Sequence, residues 1–272
     1  MKPYLFLFFA VLTVAGGKAQ QKTVSPNVSS YSLLAHELNT SKKIWVYLPY
    51  NYNKTSKSYP VVYMHDGQNL FDKTTSFAGE WRVDETLDSL KVEVIVVGIE
   101  HGGDERTKEL TPYKNEQYGG GGADVYLDFI MNTLKPDIDK RYRTKKDREN
   151  TALFGSSLGG LVSYYALINY PDTFGKAGVF SPSFWFTKDI FELTEYVDHI
   201  DAKIYFMAGD KESKDMVPDL NRMYQLVRKK DRKPNRLKKK IVPGGNHNEA
   251  LWSREFAEAI TWLMAEEKQI GK

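Results

Sequence analysis

The sequence predicts an α/β fold, in which helices cover both faces of a doubly wound, mostly parallel sheet. The prediction rests on the alternation of two kinds of segment along the chain. Short apolar runs rich in β-branched residues alternate with longer segments whose apolar residues recur at helical spacing. Such alternation is typical of βαβ units, whose right-handed crossovers place helices on both sides of the sheet. The 272 residues contain no internal repeat and no convincing linker, so a single domain is expected over residues 20–272.

The predicted elements follow one another in the order that such a sheet requires. Strands are predicted at residues 31–37, 43–48, 61–65, 92–99, 151–154, 177–180, 203–208 and 238–242. Helices are predicted between them, at residues 83–90, 124–134, 158–170, 216–228 and 250–265. The second helix is expected to end near Pro136, because proline interrupts a helix.

The first 19 residues are predicted to be a signal peptide. Lys2 is followed by a short apolar run, and Gly17 and Ala19 provide the small residues that precede a cleavage site. The run is too short to span a bilayer comfortably, so no stable membrane insertion is expected after cleavage. We therefore expect an exported protein, periplasmic or secreted. Because the chain contains no cysteine, disulfides, thiolate metal sites and a lipidated cysteine are excluded.

Composition and charge narrow the classes of partner. A net charge of +3 on 272 residues gives no indication of nucleic-acid binding by the molecule as a whole. The basic stretch at residues 228–240 is either a solvated surface or a contact for an anionic polymer. No cofactor or metal is expected, since His65, Asp66 and His101 are too few to favour a metal site. The oligomeric state is left open.

The stretch TALFGSSLGGL, residues 151–161, contains the pattern G-x-S-x-G in one frame. That frame runs from Gly155 to Gly159, which makes Ser157 the candidate nucleophile and excludes Ser156. A predicted strand before the serine and a predicted helix after it give the context of a nucleophile elbow, where the helix dipole favours negative charge. The alternative is a turn of small residues, because a pattern with three fixed positions also recurs by chance.

A serine hydroxyl needs a general base before it can attack a carbonyl carbon. In α/β-hydrolases, where nucleophile elbows occur, the catalytic residues follow one another along the chain in the order serine, acid, histidine. Of the five histidines, only His199 and His247 come after Ser157 and fit that order. His199 precedes a predicted strand, and no acid-bearing turn separates it from Ser157. His247 lies in a glycine-rich loop after the last predicted strand, at the edge where open α/β sheets place their sites. We therefore predict that His247 is the base.

Two further components of such a site are expected on neighbouring loops. The acid that orients the histidine should follow the strand at 203–208, where Asp210 and Glu212 both qualify by position. The oxyanion formed during acyl transfer needs two backbone donors. The amide of Leu158, the residue after the nucleophile, is predicted to be one of them. The amide of Gln68, in the glycine-containing turn after the strand at 61–65, is predicted to be the other.

Seven segments in the same order make the chain resemble the Putative esterase family of α/β-hydrolases: YMHDGQNLF, GEWRVDETL, ERTKELTPY, LFGSSLGG, SPSFW, AGDKES and GGNHNEALW. That family includes siderophore, feruloyl and acetyl-xylan esterases, S-formylglutathione hydrolases and mycolyltransferases. The resemblance extends from about residue 41 to residue 263. It implies that Ser157 is the nucleophile, that His247 is the base and that Glu212 is the acid, with Asp210 as the alternative because many members use aspartate.

The resemblance implies an exported serine esterase that forms an acyl-enzyme on a small-molecule or glycan ester. An acyltransferase of the same fold and a non-catalytic carbohydrate- or siderophore-binding protein are the alternatives. Trp185, Trp252 and Tyr118 are predicted to line the substrate cleft, since aromatic side chains provide large contact areas. Arg106 and Glu109 are predicted to form an ion pair that holds a loop at its rim.

Overall fold

The computed structural model describes residues 22–231, 233 and 235–265; the predicted signal peptide lies outside them. The central sheet has eight strands: β1 (Val28–Ala35), β2 (Thr40–Tyr47), β3 (Val61–His65), β4 (Ile95–Ile99), β7 (Thr151–Ser156), β8 (Lys176–Phe180), β9 (Lys203–Gly209) and β10 (Leu237–Val242). Their order in the sheet is β1-β2-β4-β3-β7-β8-β9-β10. β1 and β2 are antiparallel to their neighbours at one edge, and the other six strands are parallel.

A separate hairpin and the helices complete the described chain. β5 (Lys114–Asn115) and β6 (Gly119–Gly120) form the hairpin. The helices are α1 (Val83–Leu90), α2 (Arg106–Glu109), α3 (Ala123–Asp128), α4 (Lys135–Arg141), α5 (Leu158–Asn169), α6 (Asp189–Tyr196), α7 (Met216–Lys230) and α8 (Glu249–Met264). Within the described residues, no helix is long and apolar enough to cross a membrane.

The sheet separates two apolar cores, as a doubly wound fold requires. Successive side chains of a strand point to opposite faces, and β3 shows this directly. Val61 and Tyr63 belong to the core that includes residues of α5 and α7, whereas Val62 and Met64 belong to the core beneath α1 and α8. The predicted α/β-hydrolase architecture, a mostly parallel sheet with helices on both faces, is therefore confirmed.

Two details of the helices differ from the prediction. The helix expected to end near Pro136 continues to Arg141, through a π-helical segment (Phe129–Leu134) that joins α3 to α4. Pro136 is the second residue of α4, where the wider π turn before it accommodates a residue without an N–H. α2 and α6 were not predicted. They are short, with four and eight residues, and the existence of an element is most reliably predicted for long segments.

The parallel strands bring their carboxyl ends to one edge of the sheet. The loops that follow β3, β7, β8, β9 and β10 therefore meet there, although their residues are widely separated in sequence. Open α/β sheets place their binding sites at this edge.

Candidate active site

Ser157 lies in a sharp turn between β7 and α5. Its φ of 57° and ψ of −122° lie outside the regions that ordinary residues favour, a conformation that costs about 1–3 kcal/mol. Two backbone hydrogen bonds hold it, one from its N–H to the carbonyl of Phe180 (3.0 Å) and one to its carbonyl from the N–H of Ser183 (3.1 Å). A side chain at Gly155 would place its Cβ 2.7 Å from the carbonyl carbon of Gly159, so the turn requires glycine there. The turn has the geometry of a nucleophile elbow.

His247 lies in the loop between β10 and α8 and contacts a carboxylate. Its Nδ1 is 2.7 Å from Oε2 of Glu212, whose side chain is only 1% exposed. A carboxylate accepts hydrogen bonds, so Nδ1 carries the proton and Nε2 of the neutral ring is left as the basic nitrogen. The pair thus holds the imidazole in the tautomer that a general base requires.

The structure distinguishes the two predicted acids. Glu212 accepts hydrogen bonds on its second oxygen, Oε1, from the N–H of Gly209 (2.6 Å) and the hydroxyl of Ser181 (2.7 Å). Asp210 is exposed and accepts the N–H of Gly244 at 2.8 Å, which braces the turn after β10. Of the two candidates, Glu212 is therefore the one that the fold brings to His247.

An open cavity of about 600 Å³ lies at this edge of the sheet, and four of the predicted residues line it: Ser157, His247, Gln68 and Trp252. Leu158 is the first residue of α5, and Gln68 lies in a short turn directly after β3. The carbonyl of Gln68 accepts the hydroxyl of Thr75 at 2.7 Å, which helps to fix that turn. The role of the Leu158 and Gln68 amides as oxyanion donors stays a prediction.

A bidentate ion pair borders the same cavity. Nε and Nη2 of Arg106 donate to the two oxygens of Asp66 at 2.6 and 2.8 Å. Burial opposes ionisation of Asp66, but the hydrogen bonds and charge of Arg106 outweigh it and lower the pKa of this carboxyl. The predicted pair between Arg106 and Glu109 is therefore wrong. Glu109 instead binds the buried ammonium of Lys42 at 2.6 Å.

His65 is a buried residue next to this pair. Its Nδ1 is 2.8 Å from the hydroxyl of Tyr126, and burial lowers the pKa of its imidazole to about 4. His65 is thus neutral at physiological pH. Nδ1 of His65 and the carboxylate of Asp66 are thus engaged by protein side chains, whereas Nε2 of His65 is buried without a hydrogen-bond partner among the described residues.

The three predicted substrate-binding aromatics fall into two groups. Trp252 is 6% exposed; its Nε1 donates to the hydroxyl of Ser181 at 2.8 Å, and its ring meets that of His247 edge-on at 5.0 Å. Trp185 and Tyr118 are about half exposed and contact each other edge-to-face, with ring centroids 5.7 Å apart. Trp252 thus forms part of the wall behind His247. The other two are exposed surface aromatics outside the residues that line the cavity.

Sequence reasoning missed two serines and one phenylalanine at the site. The hydroxyl of Ser183 lies 3.2 Å from that of Ser157, and the hydroxyl of Ser181 contacts Glu212. Phe77 lines the cavity while remaining 92% exposed. The SPSFW segment was the one available signal for the serines, but it does not reveal which hydroxyl meets which partner.

The fold and the elbow define the class of this protein: it is an α/β-hydrolase. The chain belongs to the family described as "Putative esterase", whose model matches residues 35–263. It is a carboxylic-ester hydrolase, and esterases are among its relatives.

Three similarities illustrate the range of its relatives. The uncharacterized protein YbbA of Bacillus subtilis is 27% identical over 252 residues, which cover 85% of this chain and 96% of that protein. The siderophore triacetylfusarinine C esterase of Aspergillus fumigatus is 35% identical over 134 residues, 46% of this chain and 44% of that enzyme. The crystal structure of the BES protein from Bacillus cereus has the same fold, with a TM-score of 0.72 and 20% identity over 92% of this chain and 99% of that one.

Proposed function

We propose that this protein hydrolyses its ester through a catalytic triad of Ser157, His247 and Glu212. The observation that carries the proposal is the contact of 2.7 Å between His247 and a buried glutamate, beside a serine held in a strained elbow. Ser157 and His247 line one cavity, so a bound ester can meet both of them. A buried carboxylate, an oriented imidazole and a hydroxyl that lines the cavity are the groups that acyl transfer to serine requires.

The reaction proceeds in two halves. Nε2 of His247 takes the hydroxyl proton of Ser157 as Oγ attacks the ester carbonyl, and the amides of Leu158 and Gln68 stabilise the oxyanion. The tetrahedral intermediate collapses as His247 gives that proton to the departing alcohol, which leaves an acyl group on Oγ. Water then attacks this acyl-enzyme with His247 again as base, which releases the carboxylic acid and restores the serine.

We propose a small-molecule siderophore ester as the substrate class. Similarity to the siderophore esterase of Aspergillus fumigatus supports this choice. The cavity of about 600 Å³ also lies within the usual range for small-molecule sites. Its open form and the exposed ring of Phe77 suit a bulky ligand that is only partly enclosed.

Substrate profiling tests the proposed class. Wild type is assayed on a catecholate trilactone, a hydroxamate siderophore ester, methyl ferulate, acetyl-xylan and a series of nitrophenyl esters. We expect the highest kcat/KM on one of the two siderophores. A higher kcat/KM on ferulate or acetyl-xylan would overturn the substrate class and leave the triad intact.

Variants of the triad test the mechanism. Ser157→Ala and His247→Ala should each abolish nearly all turnover, and the double variant should be little worse than either. Residues that act as one unit are strongly non-additive in this way. Additive losses in the double variant would contradict the triad.

We further propose that the protein acts after export. The support is the leader-like composition of residues 1–19, with Gly17 and Ala19 before the expected cleavage site. Mass spectrometry of the protein recovered from its native host should give an N-terminus at Gln20. Intact residues 1–19 on the cytoplasmic protein would refute export.

A further inference from the structure

Ser181 stands out because it is buried, polar and in contact with the proposed acid. It follows β8, which lies between the strands that carry Ser157 and Glu212. The residue is 0% exposed, and its backbone has a φ of 41° in the left-handed region. Its N–H donates to the carbonyl of Met207 on β9 at 2.6 Å. The backbone of Ser181 is therefore anchored beside the strand that leads to Glu212.

The hydroxyl of Ser181 has two partners, and their chemistry fixes the direction of its proton. Nε1 of Trp252 lies 2.8 Å from Oγ, and an indole nitrogen can only donate. Oγ therefore accepts from Trp252, and its own hydrogen is directed at Oε1 of Glu212, 2.7 Å away. An ionised carboxylate can only accept, so the two contacts are compatible in this one arrangement.

The hydrogen bonds keep the same donor-to-acceptor direction through the proposed triad. Oε1 of Glu212 is occupied by two donors, Ser181 and the N–H of Gly209, which leaves Oε2 for the ring of His247. Nδ1 of His247 must then be the protonated nitrogen. The chain of hydrogen bonds begins at a group that can only donate and ends with Nε2 as an acceptor.

We infer that Ser181, oriented by Trp252, is a positioning residue of the reaction: its hydroxyl fixes the carboxylate of Glu212 and, through it, the tautomer of His247. This inference rests on the proposed function. Ser181 is fully buried and is not among the residues that line the cavity, and the hydrogen bonds of its hydroxyl go to Glu212 and Trp252. It therefore acts on catalysis through Glu212, and its loss should lower kcat with little change in KM.

Removal of the Ser181 hydroxyl should also change the pH profile of kcat/KM. A carboxylate that loses a donor concentrates more negative charge on its remaining oxygen and holds a protonated imidazole more tightly. The variant leaves the other titratable and charged groups that line this cavity in place, namely His65, Asp66, His101, Asp104, Arg106 and Glu249. A shift in the acidic limb of the kcat/KM profile therefore reports on the contact with Glu212.

The experiment compares Ser181→Ala with Ser181→Cys, which keeps a weaker S–H donor. In Ser181→Ala we expect kcat to fall about ten-fold and the acidic limb to move up by about half a pH unit, as for one lost hydrogen bond to a charged group. Ser181→Cys should lie between this variant and wild type. Thr194→Val is the matched control, because it also removes a buried hydroxyl, one that bonds to Tyr164, Ile190 and Met223 and to no residue of the proposed triad.

Each outcome has a defined meaning. If kcat and the acidic limb in Ser181→Ala equal those of wild type, or if Thr194→Val gives the same shift, the inference is overturned. If Ser181→Ala fails to fold, Ser181→Cys and Trp252→Phe provide the test, because Trp252→Phe removes the donor that orients the hydroxyl and should also shift the limb upward. Ser157→Ala is measured in parallel. Full activity of Ser157→Ala would refute the proposed function itself. If Ser157→Ala is inactive and Ser181→Ala behaves like wild type, only this inference is refuted.

Discussion

Glu212→Gln is the substitution whose effect the structure defines most closely. Glutamine has nearly the shape of glutamate but presents one oxygen and one NH₂ group. The position of Oε1 receives two donors, from Ser181 and Gly209, so the amide oxygen must occupy it. The NH₂ group then faces Nδ1 of His247 across 2.7 Å. Two donors cannot share that contact, and the imidazole must move its proton to Nε2.

The wrong tautomer removes the base. Nε2 with a proton cannot accept the hydroxyl proton of Ser157, and a neutral amide cannot stabilise the imidazolium that forms during attack. Loss of a charge-assisted hydrogen bond costs about 1.5–3 kcal/mol, and opposition of two donors adds a similar amount. At about 1.4 kcal/mol for each ten-fold change, we expect kcat to fall about 1,000-fold or more.

Asp210→Asn is the matched control, because it makes the same chemical change two residues away. Asp210 is exposed, and an asparagine oxygen can still accept the N–H of Gly244. Its kcat should fall less than about ten-fold, as expected for a residue outside the proton-transfer unit. Both variants are assayed on one activated ester after their melting temperatures have been matched to wild type. If Asp210→Asn lost most of its kcat while Glu212→Gln kept its activity, the assignment of Glu212 as the acid would be refuted.

Three further predictions concern the nucleophile, a buried carboxyl and the ion pair at the cavity. Ser156→Ala should keep most of the esterase activity that Ser157→Ala loses, and an equal loss in both would show that the wrong serine had been chosen. Burial raises the pKa of Asp84 to about 8, so the folded state binds a proton there that the unfolded state has released above about pH 4. The free energy of unfolding should therefore fall as the pH rises from about 4 to 8. The melting temperature of Asp84→Asn should exceed that of wild type most at alkaline pH. An equal difference in melting temperature at pH 5 and pH 9 would contradict this. Arg106→Gln leaves Asp66 partly buried without its cation and should lower the free energy of unfolding by about 1–3 kcal/mol in urea titrations, whereas a second change, Asp66→Asn, should restore part of that loss.

The elbow could be predicted from the sequence because it is a local structure. Strand, glycine-flanked serine and helix follow one another without interruption between residues 151 and 169, so their order alone determines the turn. His247 was accessible for a related reason. In a parallel sheet, every loop after a strand reaches the same edge, and chain order identifies the loop.

The choice between Asp210 and Glu212 could not be made from residue positions alone. Both follow β9 closely, and only the three-dimensional turn shows that Asp210 binds Gly244 while Glu212 reaches His247. The family resemblance favoured Glu212 without giving a physical reason. The reason is that donors from Gly209 and Ser181 hold its carboxylate in place.

Partners that are distant in sequence account for what was missed. Arg106 was expected to pair with a residue three positions along, but its partner Asp66 lies 40 positions earlier. The hydrogen bond from the indole of Trp252 to a serine 71 positions away was not predicted either. Helical spacing and strand alternation describe neighbours along one element, and they carry no information about which loop from another strand completes a contact.

Covalent labelling tests the central claim most directly. Wild-type protein is treated with a fluorophosphonate, which phosphonylates an activated serine, and the modified peptide is located by mass spectrometry. We predict one label on Ser157, strongly slowed labelling in Glu212→Gln and no label in a folded Ser157→Ala. A folded wild-type protein that takes up no label, or takes it on another serine, would contradict the assignment of Ser157 as the nucleophile of this esterase.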